Sequence, residues 1–165
     1  DVFFQAVGII EGAVSFPEDK EPIVTLEGRE YSLFPQSVFR PRKVRKKLRR
    51  LKRHIDNTDV TKQRLLVYPC LAHFPQPDKN PQEIAFNVIK FDYKIGENAT
   101  SLLGNNEFLL YGLWQYLPNC SLPCVSVFKN PIPYNLSKLE SKDCIKRAKL
   151  LTPSHIPLLW ENPSV

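Results

Sequence analysis

Between residues 40 and 53, ten of fourteen positions are Lys or Arg, and no carboxylate falls among them. The residues are Arg40, Arg42, Lys43, Arg45, Lys46, Lys47, Arg49, Arg50, Lys52 and Arg53. The chemistry open to such a block is the neutralisation of a polyanion: each cation placed on a phosphate releases condensed counterions. The whole chain holds 23 basic and 17 acidic residues, for a formal charge of +6. Without the block, 13 basic residues face 17 acidic ones, so the positive charge is a local property laid over a slightly acidic remainder. Solvated charged faces normally mix signs, and this one does not.

Other reactive residue types are sparse. Cys70 and His73, Cys120 and Cys124, with Cys144 and His155 as spares, could in principle supply zinc ligands. Structural zinc favours tighter paired knuckles, and Cys70 and His73 on one strand would point to opposite faces, so no metal is expected. No Gly-rich phosphate loop, nucleophile elbow or metalloprotease helix motif occurs. Scattered groups such as Asp92 and Glu107, or the neighbours Ser154 and His155, define no site by sequence adjacency alone. The chain therefore reads as a non-catalytic module with no cofactor.

The block needs an element to display it. Val44, Leu48, Leu51 and Ile55 recur at i, i+4, i+7 and i+11, one stripe of an α-helix. Pro41 suits a first helical turn, and Asn57, Thr58 and Asp59 suit a stop. The spacing predicts a helix over 41–55, about 22 Å long, docked through its stripe with cations fanning over its other faces. Around it, residues 3–16 read as one long strand whose Gly8 and Gly12 mark a bend or bulge. Residues 23–26 and 29–34 read as short strands about a Glu27-Gly28 turn. Residues 64–74 and 83–93 read as further strands, with Pro69 implying an edge or bulge and Ile84, Phe86 and Val88 on one face. A hairpin is expected from 107–117 and 124–129, and a short helix from 136–151, ahead of a Pro-rich apolar tail.

A long glycine-bearing strand, two short strands, a helix and two more strands resemble, in that order, the OB-fold. The resemblance covers about residues 3–93. The fold class expected is mainly β with one or two helices (α+β), an OB-like Greek-key barrel with the basic helix between strands three and four. Strands over 107–129 would be C-terminal additions. One domain over 1–165 is expected, its barrel core about 3–129, its helix and tail about 136–165. The resemblance implies a binding face on strands two and three, where bases stack on aromatics while cations track phosphates. Tyr31, Phe34, Phe39, Tyr68 and Phe74 lie in or beside those elements, and Tyr31 and Tyr68 are the best candidates because a phenol tolerates exposure. Most of the eighteen aromatics must nevertheless fill the core.

The helix carries no Asn or Gln among its cations, so phosphate contact without strong sequence preference is expected, to DNA or RNA. The competing reading is an assembly domain: the helix meets an acidic protein, and Ile156, Leu158, Leu159 and Trp160 of the tail dock on a neighbour. No run of 18 apolar residues occurs, so no membrane span is expected. Neither a signal peptide nor a high cysteine density is seen, which points to a cytoplasmic, reducing setting. The lack of any Met, even at position 1, reads as processing or trimming.

Overall fold

The computed structural model describes residues 5–35, 41–71, 84–91, 103–116, 122–127 and 154–158. The chain falls into two compact units: Ala6–Ala72 with Pro81–Leu109, and Asp1–Gln5 with His73–Asn80 and Leu110–Val165. Residues 110–129, read from the sequence as barrel core, thus fall in the second unit.

The first unit is built on strand β1 (Gln5–Ser15), hairpin β2 (Ile23–Leu26) and β3 (Arg29–Ser32), helix α1 (Pro41–Thr58), and strands β4 (Lys62–Leu71) and β5 (Ile84–Phe91). β1 pairs antiparallel with β2, β2 with β3, β4 with β5, and β1 with β4; β3 and β5 meet in parallel at Ser32 and Ala85. The ring β1-β2-β3-β5-β4 returns to β1, giving a closed five-stranded mixed barrel with its helix between β3 and β4. This is the OB-like α+β architecture that the element order predicts. A sixth strand, β6 (Glu107–Tyr111), adds to β1.

Local chemistry explains the joints. The β2–β3 turn places Glu27 at φ 50° and Gly28 at φ 80°, both left-handed, as a two-residue hairpin whose twist matches its strands requires. β3 ends at Ser32, earlier than the expected 29–34, because the Ser32 hydroxyl accepts the Phe34 N–H at 3.1 Å and turns the chain. Gly12 lies where β1 leaves β4 for β2. A Cβ there would collide with the Thr25 carbonyl oxygen and sit 2.7 Å from a Leu26 methyl, so only glycine allows this approach. At Gly8 the space a Cβ would need is filled by the Phe108 ring. The register of β4 against β5 shifts between Leu66 and Val67, where the extra residue is Ile89 of β5, while Pro69 pairs in register with Phe86.

Ile10, Val14, Val24, Leu33, Leu65, Val67, Phe86 and Val88 fill the barrel, and Val44, Leu48, Leu51 and Ile55 of α1 join the same cluster. Ile84 shares the face of Phe86 and Val88, as expected, but at the start of β5 it lies beyond the core and is exposed. A smaller cluster of Val7, Ile9 and Leu66 packs on the opposite face of β1 and β4, against Ile89, Leu103 and Leu109. Polar contacts fix the turn before β6. The Asn106 N–H donates to the Ile9 carbonyl at 2.7 Å, and Arg64 Nε donates to Asn105 at 3.0 Å. The Asn105 amide in turn donates to Glu11. Lys62 stands 2.9 Å from Glu11 and, more than any other neighbour, holds its carboxyl below the usual range.

In the second unit, β7 (Leu113–Gln115), β8 (Cys124–Val127) and β9 (Ser154–Pro157) form an antiparallel sheet in that order. The single strand expected over 107–117 is broken at Gly112, where a Cβ would stand 2.6 Å from the Ser126 carbonyl oxygen. The hairpin with 124–129 survives as β7–β8. β9 was not expected, since four residues ending in proline carry little strand signal. The helix expected over 136–151 lies outside the described residues.

Leu51 is fully buried where α1 meets the barrel. Leu51→Ala should cost about 2–5 kcal/mol in urea unfolding. Gly12→Ala should cost about 1–3 kcal/mol through overpacking against the β2 backbone.

Candidate nucleic-acid interface

The helix begins at Pro41, as the spacing predicts, and runs past Ile55 to Thr58. Asp59 ends it in the left-handed conformation (φ 54°), its N–H donating to the Ile55 carbonyl at 2.8 Å. Val44, Leu48, Leu51 and Ile55 are all buried, so the predicted stripe is the docking face. That orientation leaves Arg42, Lys43, Arg45, Lys46, Arg49, Arg50, Lys52 and Arg53 exposed and Lys47 half-buried. Arg40 lies outside the described residues, as do Phe39 and Phe74.

The electrostatics of this helix run against its own stability. A helix favours acids in its first turn and bases in its last, because its dipole is positive at the N-terminus. α1 has no acid in its first turn, which carries Arg42 and Lys43, and no base in its last, which carries Asp56. Among the described residues, no cation of α1 is ion-paired with a carboxylate. Partial burial, followed by repulsion from Lys43, depresses the Lys47 ammonium below its ordinary 10.5.

One cation has an aromatic partner: the Arg45 guanidinium lies over the Phe34 ring, 5.3 Å from its centre. Both belong to a cleft of about 420 Å³ between α1 and the β1–β2 connection. Arg45, Leu48, Arg49 and Lys52 form its helical side, and Phe16, Glu21, Pro22 and Phe34 the other. Sequence reasoning named Phe34 only among the aromatics near the barrel and missed Phe16 and Glu21. The cleft joins residues up to 36 positions apart, and no local pattern carries that signal.

The two tyrosines singled out from the sequence are placed differently from one another. Tyr31 pairs with Val24, which is fully buried, so its ring faces the barrel interior and packs 5.5 Å from Phe86. The outward positions of β2 and β3 are Ile23, Thr25, Glu30 and Ser32, without an aromatic or a cation. Tyr68 points away from the interior, opposite Asn87, and is 43% exposed. The structure therefore brings the helix cations together with Phe34 and Phe16, and leaves Tyr31 inside.

In the second unit, Ser126 Oγ lies 2.7 Å from both Gln115 Oε1 and His155 Nδ1. Gln115 Oε1 can only accept, so the Ser126 O–H points to it and His155 Nδ1–H donates to Ser126. Ser126 is fully buried, and this arrangement is packing rather than a nucleophile with its base. The Cys124 thiol, also buried, donates to the Leu122 carbonyl at 3.5 Å. No group of three metal-ligating side chains occurs among the described residues. Nor is any helix among them long and apolar enough to cross a membrane.

Lys47→Met should leave stability at pH 7 unchanged or raise it by up to about 0.5 kcal/mol, since it removes a like-charge pair on one helix face. The sign follows from proton counting. With its folded value depressed, Lys47 binds fewer protons folded than unfolded, so the parent gains stability as pH rises towards 10.5, and the advantage of the variant fades there. Thermal unfolding between pH 7 and 10.5 checks both. Compared with known proteins, the chain matches no family model, no curated protein and no solved structure.

Proposed function

We propose that the barrel unit is a non-catalytic nucleic-acid-binding module whose α1 cations contact phosphates without strong sequence preference. The observation that carries this reading is the set of exposed cations on α1, none ion-paired with a carboxylate among the described residues, held in place by a fully apolar docking stripe. Their distribution opposes the helix dipole and maximises self-repulsion, a cost that a bound polyanion removes. The narrow spread of residue types from Arg42 to Arg53, Arg and Lys with no Asn or Gln among them, supports positioning on the backbone rather than reading of bases. The proposed setting is the cytoplasm, in keeping with the low cysteine content.

A second reading, an assembly domain with an acidic protein partner, is favoured by the second unit. Tyr111, Leu113, Trp114 and Tyr116 are all exposed along β7 and its flanks, Tyr116 at 77%. The tail contributes less to this reading, because β9 already ties Ile156 to β8 and half-buries Ile156 and Leu158. Leu159 and Trp160 lie outside the described residues.

Fluorescence anisotropy with labelled single-stranded RNA, single-stranded DNA and duplex DNA across a salt series separates the two. Four phosphate contacts on a single strand should give a log–log salt slope of about −3. The double variant Arg49→Gln, Arg50→Gln should reduce that slope by about 1.4 while leaving the fold intact. Failure to bind any of the three at low salt would refute the nucleic-acid reading and leave the acidic-partner reading standing.

A further inference from the structure

We infer that the cleft between α1 and the β1–β2 connection is a nucleobase-stacking subsite, so that the module takes single-stranded rather than duplex nucleic acid. The inference rests on the nucleic-acid reading above and specifies the ligand of the same surface. Two features of the cleft have no role in binding phosphate alone. Its walls are apolar and aromatic, with Phe16, Phe34, Pro22 and Leu48, whereas a phosphate site needs only donors and charge. The cleft is open to solvent, and its volume of about 420 Å³ leaves room for a planar base.

The cations stand where such a base would bring its phosphates. Arg45, Arg49 and Lys52 line the helical side of the cleft, opposite Phe16 and Phe34, so a nucleotide can set its base on a ring and its backbone on the helix. The Arg45 guanidinium already occupies the Phe34 face. Entry of a base transfers it from the ring to a phosphate, exchanging a cation–π contact for a charge-assisted hydrogen bond. Glu21, the one carboxylate of the lining, disfavours a second phosphate at its own side and offers an acceptor to an exocyclic amine. The outward faces of β2 and β3 cannot do this work, since Tyr31 points inward with Val24. A duplex, with its bases stacked, cannot offer one to the cleft without flipping it.

The test compares a single-stranded oligonucleotide with an abasic strand of equal length and charge, by anisotropy at one salt concentration. Stacking of one base should make the intact strand bind about 5- to 150-fold more tightly. Phe34→Leu keeps the apolar volume and removes the ring. It should bring the intact strand close to the abasic affinity and leave the abasic affinity unchanged, with circular dichroism confirming the fold. Equal binding of intact and abasic strands would overturn the cleft inference while leaving phosphate binding by α1 in place. Loss of intact and abasic binding alike in Phe34→Leu would assign the ring to scaffold and overturn the inference by a second route. If neither strand binds the parent at low salt, the nucleic-acid reading itself fails, and the subsite with it.

Discussion

Burial of the α1 stripe is the constraint on which the arrangement depends. Val44, Leu48, Leu51 and Ile55 enter the same apolar cluster as the barrel residues Ile10, Val24, Leu33 and Val67. Each such burial contributes roughly 1.5–3 kcal/mol before chain entropy is counted. Repulsion between like charges one helical turn apart costs only about 0.2–0.5 kcal/mol per pair. The packing term wins by a wide margin, so the helix tolerates a charge pattern that would destabilise it in isolation. Docking also removes rotational freedom about the helix axis: with the stripe inside, every cation must face outward or along the rim.

The rim is where charge and aromatic surface meet. Leu48 belongs at once to the core and to the cleft, with Arg45 and Arg49 beside it in the lining. Phe34 and Phe16 pack on the core from the other side, half-buried. Core packing therefore fixes the spacing between ring and cation, and the hydrophobic effect, which has no directionality of its own, positions a polar site. The partly buried Lys47 shows the limit of this economy: one cation of the helix sits too close to the core to stay fully solvated, and its proton is held less tightly.

Much of the barrel could be read locally. The 3.6-residue period of the stripe and the Glu27-Gly28 turn each follow from short-range rules, and each appears where those rules put it. The glycines of β1, read as a bend or bulge, answer instead to the close approach of Phe108 and of the β2 backbone. What could not be read was the inside or outside of individual strand residues. Tyr31 looks amphipathic and exposed in sequence, yet its direction follows from its register against Val24, set by the hairpin. The break at Gly112 was invisible for a similar reason: its neighbours on either side are strand formers, and the obstacle is the backbone of Ser126, fourteen positions on. β9 depends on pairing with β8 and has almost no propensity of its own.

The sequence by itself determined the local charge density, the helix that carries it, the stripe that orients it and the order of elements that closes the barrel. These follow from side-chain type and from periods of two and 3.6 residues, which act over a few positions. Tertiary structure decided which aromatics accompany the cations. Phe34, which follows β3, reaches Arg45, and Phe16 of the β1–β2 connection shares the cleft lining with Arg45, Arg49 and Lys52, because closure of the barrel brings both segments against α1. Contacts over such separations depend on register and packing, which no short window of sequence encodes.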